Sequence, residues 1–548
     1  SIDLNKIFQR INALKYLPNY ELSDELDIQT ICIKTIQSMQ NNMKTSAFDV
    51  LSAKIASEMI SQNYDYTVLA ARIAISNLEK NLCLRTFSQI TDLIHTNLPN
   101  YLNDSYYQFV MENSSVLDSM IDNRHNYGFD YFGYKTLESS YLIRDNNTDE
   151  ILETPQALFM RLSVAIHMSS DNSHDMIHQN YKMIASGKFI HATPSLFNAG
   201  TNHQQMSSCY LLGTDDSLNG IFKTVCDCAR ISKWAGGIGI HISNIRAKGQ
   251  LIKTTNGKSN GIIPMLKLFN ETCKYIDQGG KRRGSIAVYL EPWHSDIVDF
   301  LEIKKQGGDE QNKSRDLFPA LWIPDLFMKF VQEKKDWYLM SEDACPGLSS
   351  SFGDEFEELY LNYVAQNKFV SKINAYDLML KIIACQMETG TPYIGYKDNV
   401  NKKTNQQNIG TIKSSNLCIE IMQYSDDKIY SVCNLASIAV NKFYNGTEYD
   451  YDGLREVAGH ITNNLNRIID INFYPTPETE RSNKQTRPIG VGIQGFADLL
   501  ALMKIPYDSS EALDISSRIM EAIYYGCLEK SCELAQKDGP YPLFANSP

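Results

Sequence analysis

No stretch of about 18 continuous apolar residues occurs in this 548-residue chain, which excludes a membrane-spanning helix. Its first residues, SIDLNKIFQRINAL, are amphipathic and lack the charged start, apolar core and cleavage site of a secretory signal, so a cytoplasmic location is expected. Paired CxxC spacing is missing as well. The twelve cysteines, at 32, 83, 209, 226, 228, 273, 345, 385, 418, 433, 527 and 532, have neither the density nor the pairing of a secreted disulfide scaffold, so most should be buried, reduced thiols. Basic charge is in deficit: 52 Lys and Arg against 64 Asp and Glu give a net charge of -12, with pI near 5.4. This argues against a nucleic-acid-coating surface, and any polyanion must be met by local basic clusters. Internal repeats, low-complexity tracts and Pro/Gly/Ser linkers are absent too, so the domains should pack against one another.

What is present is ordinary globular material, 43% hydrophobic and 21% charged, long enough for roughly three or four domains. Residues 1 to about 85 read as helices. Phe48, Leu51, Ile55 and Met59 form one stripe, and Val68, Ala71, Ile75, Leu78 and Leu82 a second, in steps of three and four. Ser46 followed three residues later by Asp49 predicts a capping box for the first. Helix is expected to continue to about residue 190. Beyond HATPSLFNAGT the texture changes: short β-branched or aromatic runs (SIAVYLE, ALWIP, IYSVCNLASIAV) alternate with helical stretches (DLFMKFVQEKK, AYDLMLKIIACQME), which implies an α/β domain.

The chemistry centres on SSNLCIEI, residues 414 to 421. In an extended segment Asn416, Cys418 and Glu420 would share one face. An isolated cysteine in an apolar strand is usually a small core hydrophobe. Here an amide that can hold a hydroxyl and a carboxylate that can take a proton flank a thiol able to donate or abstract hydrogen. Cys209 in QMSSCYLLG and Cys433 in YSVCNLASIAV sit in similar company. Structural zinc normally draws on closely spaced ligand pairs, which these three cysteines do not form, and the CDC at 226 to 228 is no better. A single thiol plus a separate dithiol suits a two-electron reduction that ends in a disulfide. Two phosphate motifs fail inspection. NGKS at 256 to 259 has Ile252 where a P-loop needs glycine, and Gly236, Gly237 and Gly239 in AGGIGI do not make GxGxxG. Those glycines are expected to let backbone approach a ligand closely.

The chain resembles the large subunit of class I ribonucleotide reductase, in its eukaryotic and DNA-virus form. NLCIE, SSCYLL, CNLAS, HATPSLFNAGT, ISKWAGGIG, TNGKSNGIIPML, DQGGKRRG, YLEPWH, ALWIPDLFM, ETGTPYIGYKD, TNQQNIGTI and RPIGVGIQGFADLL bear the likeness, which runs co-linearly along the whole chain. It implies an α/β fold in which a partial ATP cone (residues 1–85) and a helical domain (86–205) precede a ten-stranded α/β barrel (206–548) with the radical cysteine on a central finger loop. Against the family pattern the chain is expected to lack the cone's opening β-hairpin, the last barrel strands and the C-terminal cysteine tail.

The resemblance further implies reduction of ribonucleoside diphosphates to deoxyribonucleoside diphosphates for DNA precursor synthesis. Cys418 would become a thiyl radical and take the ribose 3′-hydrogen, Glu420 the 3′-hydroxyl proton, and Asn416 would hold the hydroxyls. Cys209 and Cys433 would reduce the 2′ position and form a disulfide. Thr193, Ser208 and Gly237 would lie by the substrate. A specificity effector would meet Asp216, Ser217, Lys233 and Arg246. Gln278 and Arg282 match working positions of the loop that relays effector identity; that loop is one residue shorter than usual, with Arg283 where proline is common. Asp49 and Lys80 match the activity-effector contacts. Tyr524 and Tyr525 do not match the family's radical-path tyrosines and are expected to be packing residues. The implied effectors are ATP, dATP, dTTP and dGTP. The resemblance implies that this subunit itself binds no cofactor, that a metal-containing small subunit supplies the radical, and that thioredoxin or glutaredoxin supplies the electrons. A homodimer or higher oligomer is expected, without nucleic acid or membrane. The alternatives are a class II cobalamin-dependent reductase and a non-catalytic nucleotide-binding relative.

Overall fold

The computed structural model describes residues 4–17, 21–39, 44–278 and 282–548. The chain divides into two compact units, one of Ser1–Gln204, Ser437–His460 and Ile493–Met520, the other of Gln205–Ala436, Ile461–Gly492 and Glu521–Pro548.

The first unit is helical. Both stripes read from the sequence lie on helices, Thr45–Glu58 and Asp65–Asn81, whose C-caps are Met59 and Leu82, and Ile55, Met59, Ile75, Leu78 and Leu82 are buried. The capping box does not form. Helix Thr45–Glu58 begins after Lys44, and no side chain caps it. Asp49 is drawn inward to Arg10 (2.7 Å) and Lys80 (3.6 Å), because a buried carboxylate needs cations more than a helix end needs a cap. A short strand, β1 (Phe189–His191), ends the all-helical run, and the Ala439 N–H donates to the Lys188 carbonyl beside it.

The second unit is built on strands alternating with helices. Its sheet contains β2 (Cys209–Gly213), β3 (Gly237–His241), β4 (Ile286–Leu290), β5 (Phe318–Ile323), β6 (Tyr393–Tyr396), β7 (Ser431–Ala439) and β8 (Ile489–Gln494). Within this unit the strand order is β7-β2-β3-β4-β5-β6, with β8 also on β7. From β2 to β6 every pairing is parallel, and β7 meets β2 antiparallel. Of the ten strands that the family resemblance implies for residues 206–548, the described residues hold seven in this sheet, β2 to β8. Strands β2 to β5 are buried almost throughout, as expected of parallel strands covered by crossover helices. Ile238, Ile240, Val288 and Leu290 face the helix-covered core, while Ala287, Tyr289, Ala320 and Trp322 form a separate cluster on the other face. On β4 and β5 that other face is small at the earlier position (Ala287, Ala320) and large two residues on (Tyr289, Trp322). It leaves room for a loop.

Candidate active site

Strand pairing brings two of the predicted thiols together. Cys209 opens β2 and stands directly opposite Cys433 on β7, with Tyr210 facing Val432 and Leu211 facing Ser431. Alternation places Cys209, Leu211, Cys433 and Leu435 on one face, packed with Ile421. On β8, a Cβ at Gly490 would overlap the Leu435 side chain and come within 3.4 Å of the Cys433 sulfur, so a bare backbone is what lets β8 pass this point. Burial, then the charge of Glu420, pushes the Cys433 thiol up to about 12 and raises Cys209 well above the ordinary thiol range. Both are protonated at neutral pH and can give hydrogen.

The third group arrives on a turn and not on an extended strand. Residues 417 to 419 turn, with Ile419 at φ 63°, a left-handed conformation that costs a β-branched residue about 1–3 kcal/mol. Asn416 is the cause. Its side-chain oxygen accepts from the N–H groups of Glu420 and Ile421 (both 3.1 Å), and the Ser415 hydroxyl donates to the Ile421 carbonyl (2.6 Å), so the segment folds on itself. The Asn416 amide then donates to the Cys209 sulfur (3.1 Å), whose own S–H points to a Glu420 carboxylate oxygen (3.4 Å). Cys418 rides the tip, exposed, and Asn416 is buried. Burial raises the hydroxyls of Tyr289 and Tyr393, and the Cys418 sulfur adds to both shifts.

Gly239 on β3 explains how the loop comes so close. A Cβ there would overlap the Ser415 carbonyl oxygen, and would lie 2.8 Å from the Asn416 Cα. The close approach expected of the AGGIGI glycines is thus made at this position by the chain's own loop. A Cβ at Gly237 would sit in ordinary contact with the Leu417 side chain, 3.4 Å away. Ser208 donates its N–H to the Cys433 carbonyl (3.1 Å), and its buried hydroxyl has no protein partner, so a donor is left beside the dithiol. Behind the turn lies a cavity of about 790 Å³ lined in part by Ile419, Met422, Gln423 and Ile489.

Other predicted residues fall elsewhere. Thr193 belongs to the first unit, where its hydroxyl meets that of Tyr141 (2.9 Å). Asp216 and Arg246 pair at 2.8 Å, and Ser217 caps helix Leu218–Lys233 through the Gly220 N–H. Burial raises the Asp216 carboxyl, and Arg246 opposes the shift. Lys233 closes the same 16-residue helix, roughly 24 Å away along its axis, so one chain does not gather all four effector residues. Gln278 and Arg282 pair in a two-stranded ribbon, but residues 279–281 and both side chains lie outside the described residues. Tyr524 and Tyr525 lie on helix Ser510–Asp538 as expected, yet are 61% and 53% exposed, so they are not core packing residues. Among the described residues no helix is long and apolar enough to cross a membrane.

Comparison with known proteins agrees along the whole length. Residues 207–548 match the family described as ribonucleotide reductase, barrel domain, and residues 127–204 the family described as ribonucleotide reductase, all-alpha domain. The chain is 49% identical to the ribonucleoside-diphosphate reductase large subunit of vaccinia virus (strain Copenhagen), aligned over all of this chain and 71% of that protein. Identity is 47% to ribonucleoside-diphosphate reductase large chain 2 of Saccharomyces cerevisiae, over all of this chain and 64% of the yeast protein. It is 45% to the large subunit of Caenorhabditis elegans, over all of this chain and 70% of that protein.

Proposed function

This chain belongs to the ribonucleotide reductase large-subunit family, and we propose that its thiol cluster carries out that family's reduction as follows. The chain is a ribonucleoside-diphosphate reductase large subunit, an enzyme component that works with a separate small subunit. Cys418, as a thiyl radical, takes the 3′-hydrogen of a ribonucleoside diphosphate. Glu420 accepts the 3′-hydroxyl proton while the Asn416 amide holds the ribose hydroxyls. The 2′-hydroxyl leaves as water. Cys209 and Cys433 supply two electrons and two hydrogens and end as a disulfide, and Cys418 recovers its radical when hydrogen returns to C3′. Substrate plus dithiol therefore balances product, water and disulfide.

The strongest support is the Cys209/Cys433 register. Directly opposed residues on antiparallel strands have Cα atoms about 4.5–5.5 Å apart, inside the span a disulfide needs, so oxidation requires no backbone shift. Ser208, with its unpartnered hydroxyl, and Gly237 line the substrate side. Asp216, Ser217, Arg246 and Lys233 serve a specificity nucleotide, the last from a second copy in a homodimer, and Gln278 and Arg282 relay its identity. Asp49 and Lys80 receive ATP or dATP in a regulatory region spanning residues 1–85, ahead of a helical region to 205 and the catalytic region beyond. Thioredoxin or glutaredoxin restores the dithiol.

Replacing Cys418 by serine in the complete gene product, assayed with its small subunit, should abolish deoxynucleotide formation while effector binding persists. Normal product formation by that variant would overturn the assignment.

A further inference from the structure

Cys418 can act only if the turn that presents it is held still; Ser415 and Asn416 shape the turn from within and the Asn416 amide meets Cys209, but these side-chain bonds do not hold the backbone that leads into it. Two buried aromatic donors on neighbouring strands do. The Tyr289 hydroxyl, on β4, donates to the Asn416 carbonyl at 2.6 Å, and the Trp322 indole N–H, on β5, donates to the Ile412 carbonyl at 3.1 Å. Asn401 grips the same residue from helix Lys397–Lys403: its amide donates to the Ile412 carbonyl (3.0 Å) and its oxygen accepts the Ile412 N–H (2.7 Å). All three side chains are buried, and the two rings meet edge to face with centroids 6.0 Å apart.

The neighbouring positions are shaped to allow this. Ala287 and Ala320 precede the two aromatics by two residues on the same faces, and a Cβ at Gly395 on β6 would overlap the Trp322 ring. Small residues thus open the space into which the long donors reach. A tyrosine kept only for bulk would not need its hydroxyl aimed at the peptide two residues before the thiol.

We propose that Tyr289, seconded by Trp322 and Asn401, is a positioning residue for the reduction, setting Cys418 by gripping the backbone that leads to it. The proposal rests on the reading of Cys418 as the hydrogen-abstracting thiol. Tyr289→Phe keeps the ring and removes one donor. In the complete gene product assembled with its small subunit, kcat should fall at least about tenfold while KM for the nucleoside diphosphate and the thermal midpoint stay near wild type, because a misplaced reacting atom costs rate and not ground-state binding. Without the small subunit, iodoacetamide should alkylate Cys418 several-fold faster in Tyr289→Phe, with exposed Cys226 as internal control in the same peptide map. Trp322→Phe should move both readouts the same way.

An unchanged kcat together with an unchanged Cys418 alkylation rate in Tyr289→Phe would overturn the proposal, as would a fall in kcat matched by a loss of thermal stability with no change in alkylation. Turnover surviving in Cys418→Ser would instead strike at the function. The alkylation rate does not depend on turnover, so the two failures are distinguishable.

Discussion

At the scale of single residues, the site depends on what Gly239 lacks. The Ser415 carbonyl occupies the place of its missing side chain, and the neighbouring atom is backbone, which cannot rotate aside. Gly239→Ala must therefore push the 414–421 segment off β3 or strain the strand. The expected loss is about 1–3 kcal/mol, the usual cost of overpacking, read as a lower urea midpoint, with deoxynucleotide formation falling further than the midpoint alone would explain. A variant with wild-type stability and rate would show that the loop does not need this contact. The same segment shows what could be read from sequence and what could not. Asn416, Cys418 and Glu420 were legible as one chemical group from residue type alone. Their geometry was not, because alternation suggested a strand while the Asn416 side chain bonds to the N–H groups of 420 and 421 and makes a turn.

Among elements, the loop's return leg has its own anchor. His241, at the end of β3, donates from Nε2 to the Ser425 carbonyl (3.2 Å), and the Gly213 N–H donates to the Asp426 carbonyl (3.0 Å). Burial, then the Lys413 charge, lowers His241 to about 3, with Ser425, Asp426 and Asn244 opposing the shift. The folded protein therefore keeps this histidine neutral, while the unfolded chain takes a proton near its ordinary pKa of about 6.5. Stability contributed by the neutral ring is complete above about pH 6.5 and is lost as pH falls toward 3, by at most about 1.4 kcal/mol per pH unit. His241→Gln keeps a donor for the Ser425 carbonyl but does not titrate. Its urea midpoints should fall less steeply than wild type between about pH 6.5 and pH 4.5 and run parallel above; parallel curves throughout would refute this role. Helices Thr45–Glu58 and Asp65–Asn81 were legible because a 3.6-residue period needs only local sequence. The anchors His241, Tyr289, Trp322 and Asn401 were not: Tyr289 meets Asn416 127 positions away, and no local pattern encodes such a pairing.

For the molecule as a whole, the α/β class was legible from alternating strand and helix runs, whereas the antiparallel meeting of β7 with β2 joins residues more than 200 positions apart and emerges only in the folded chain. Each unit also buries an ion pair that no motif announces. In the first, Arg161 is held by Glu153 (3.0 and 3.1 Å) and donates to the Ala199 and Leu196 carbonyls. In the second, Lys397 meets both Glu291 oxygens (2.8 and 2.9 Å) and the Leu348 carbonyl, while the Trp293 indole N–H donates to Glu291. Neither side chain of the second pair is exposed to any extent. Removing one partner leaves a buried charge without compensation, which costs about 3–5 kcal/mol, far more than the net worth of the intact pair. Lys397→Met should lower stability by that amount, and Lys397→Met with Glu291→Gln should recover part of it, since glutamine is neutral and still accepts from Trp293. If the two units open separately, hydrogen exchange in Lys397→Met should rise within 205–436 while peptides of 4–204 keep their protection, and Arg161→Met should give the reverse. Equal loss of protection in both, for either variant, would mean that the units unfold as one.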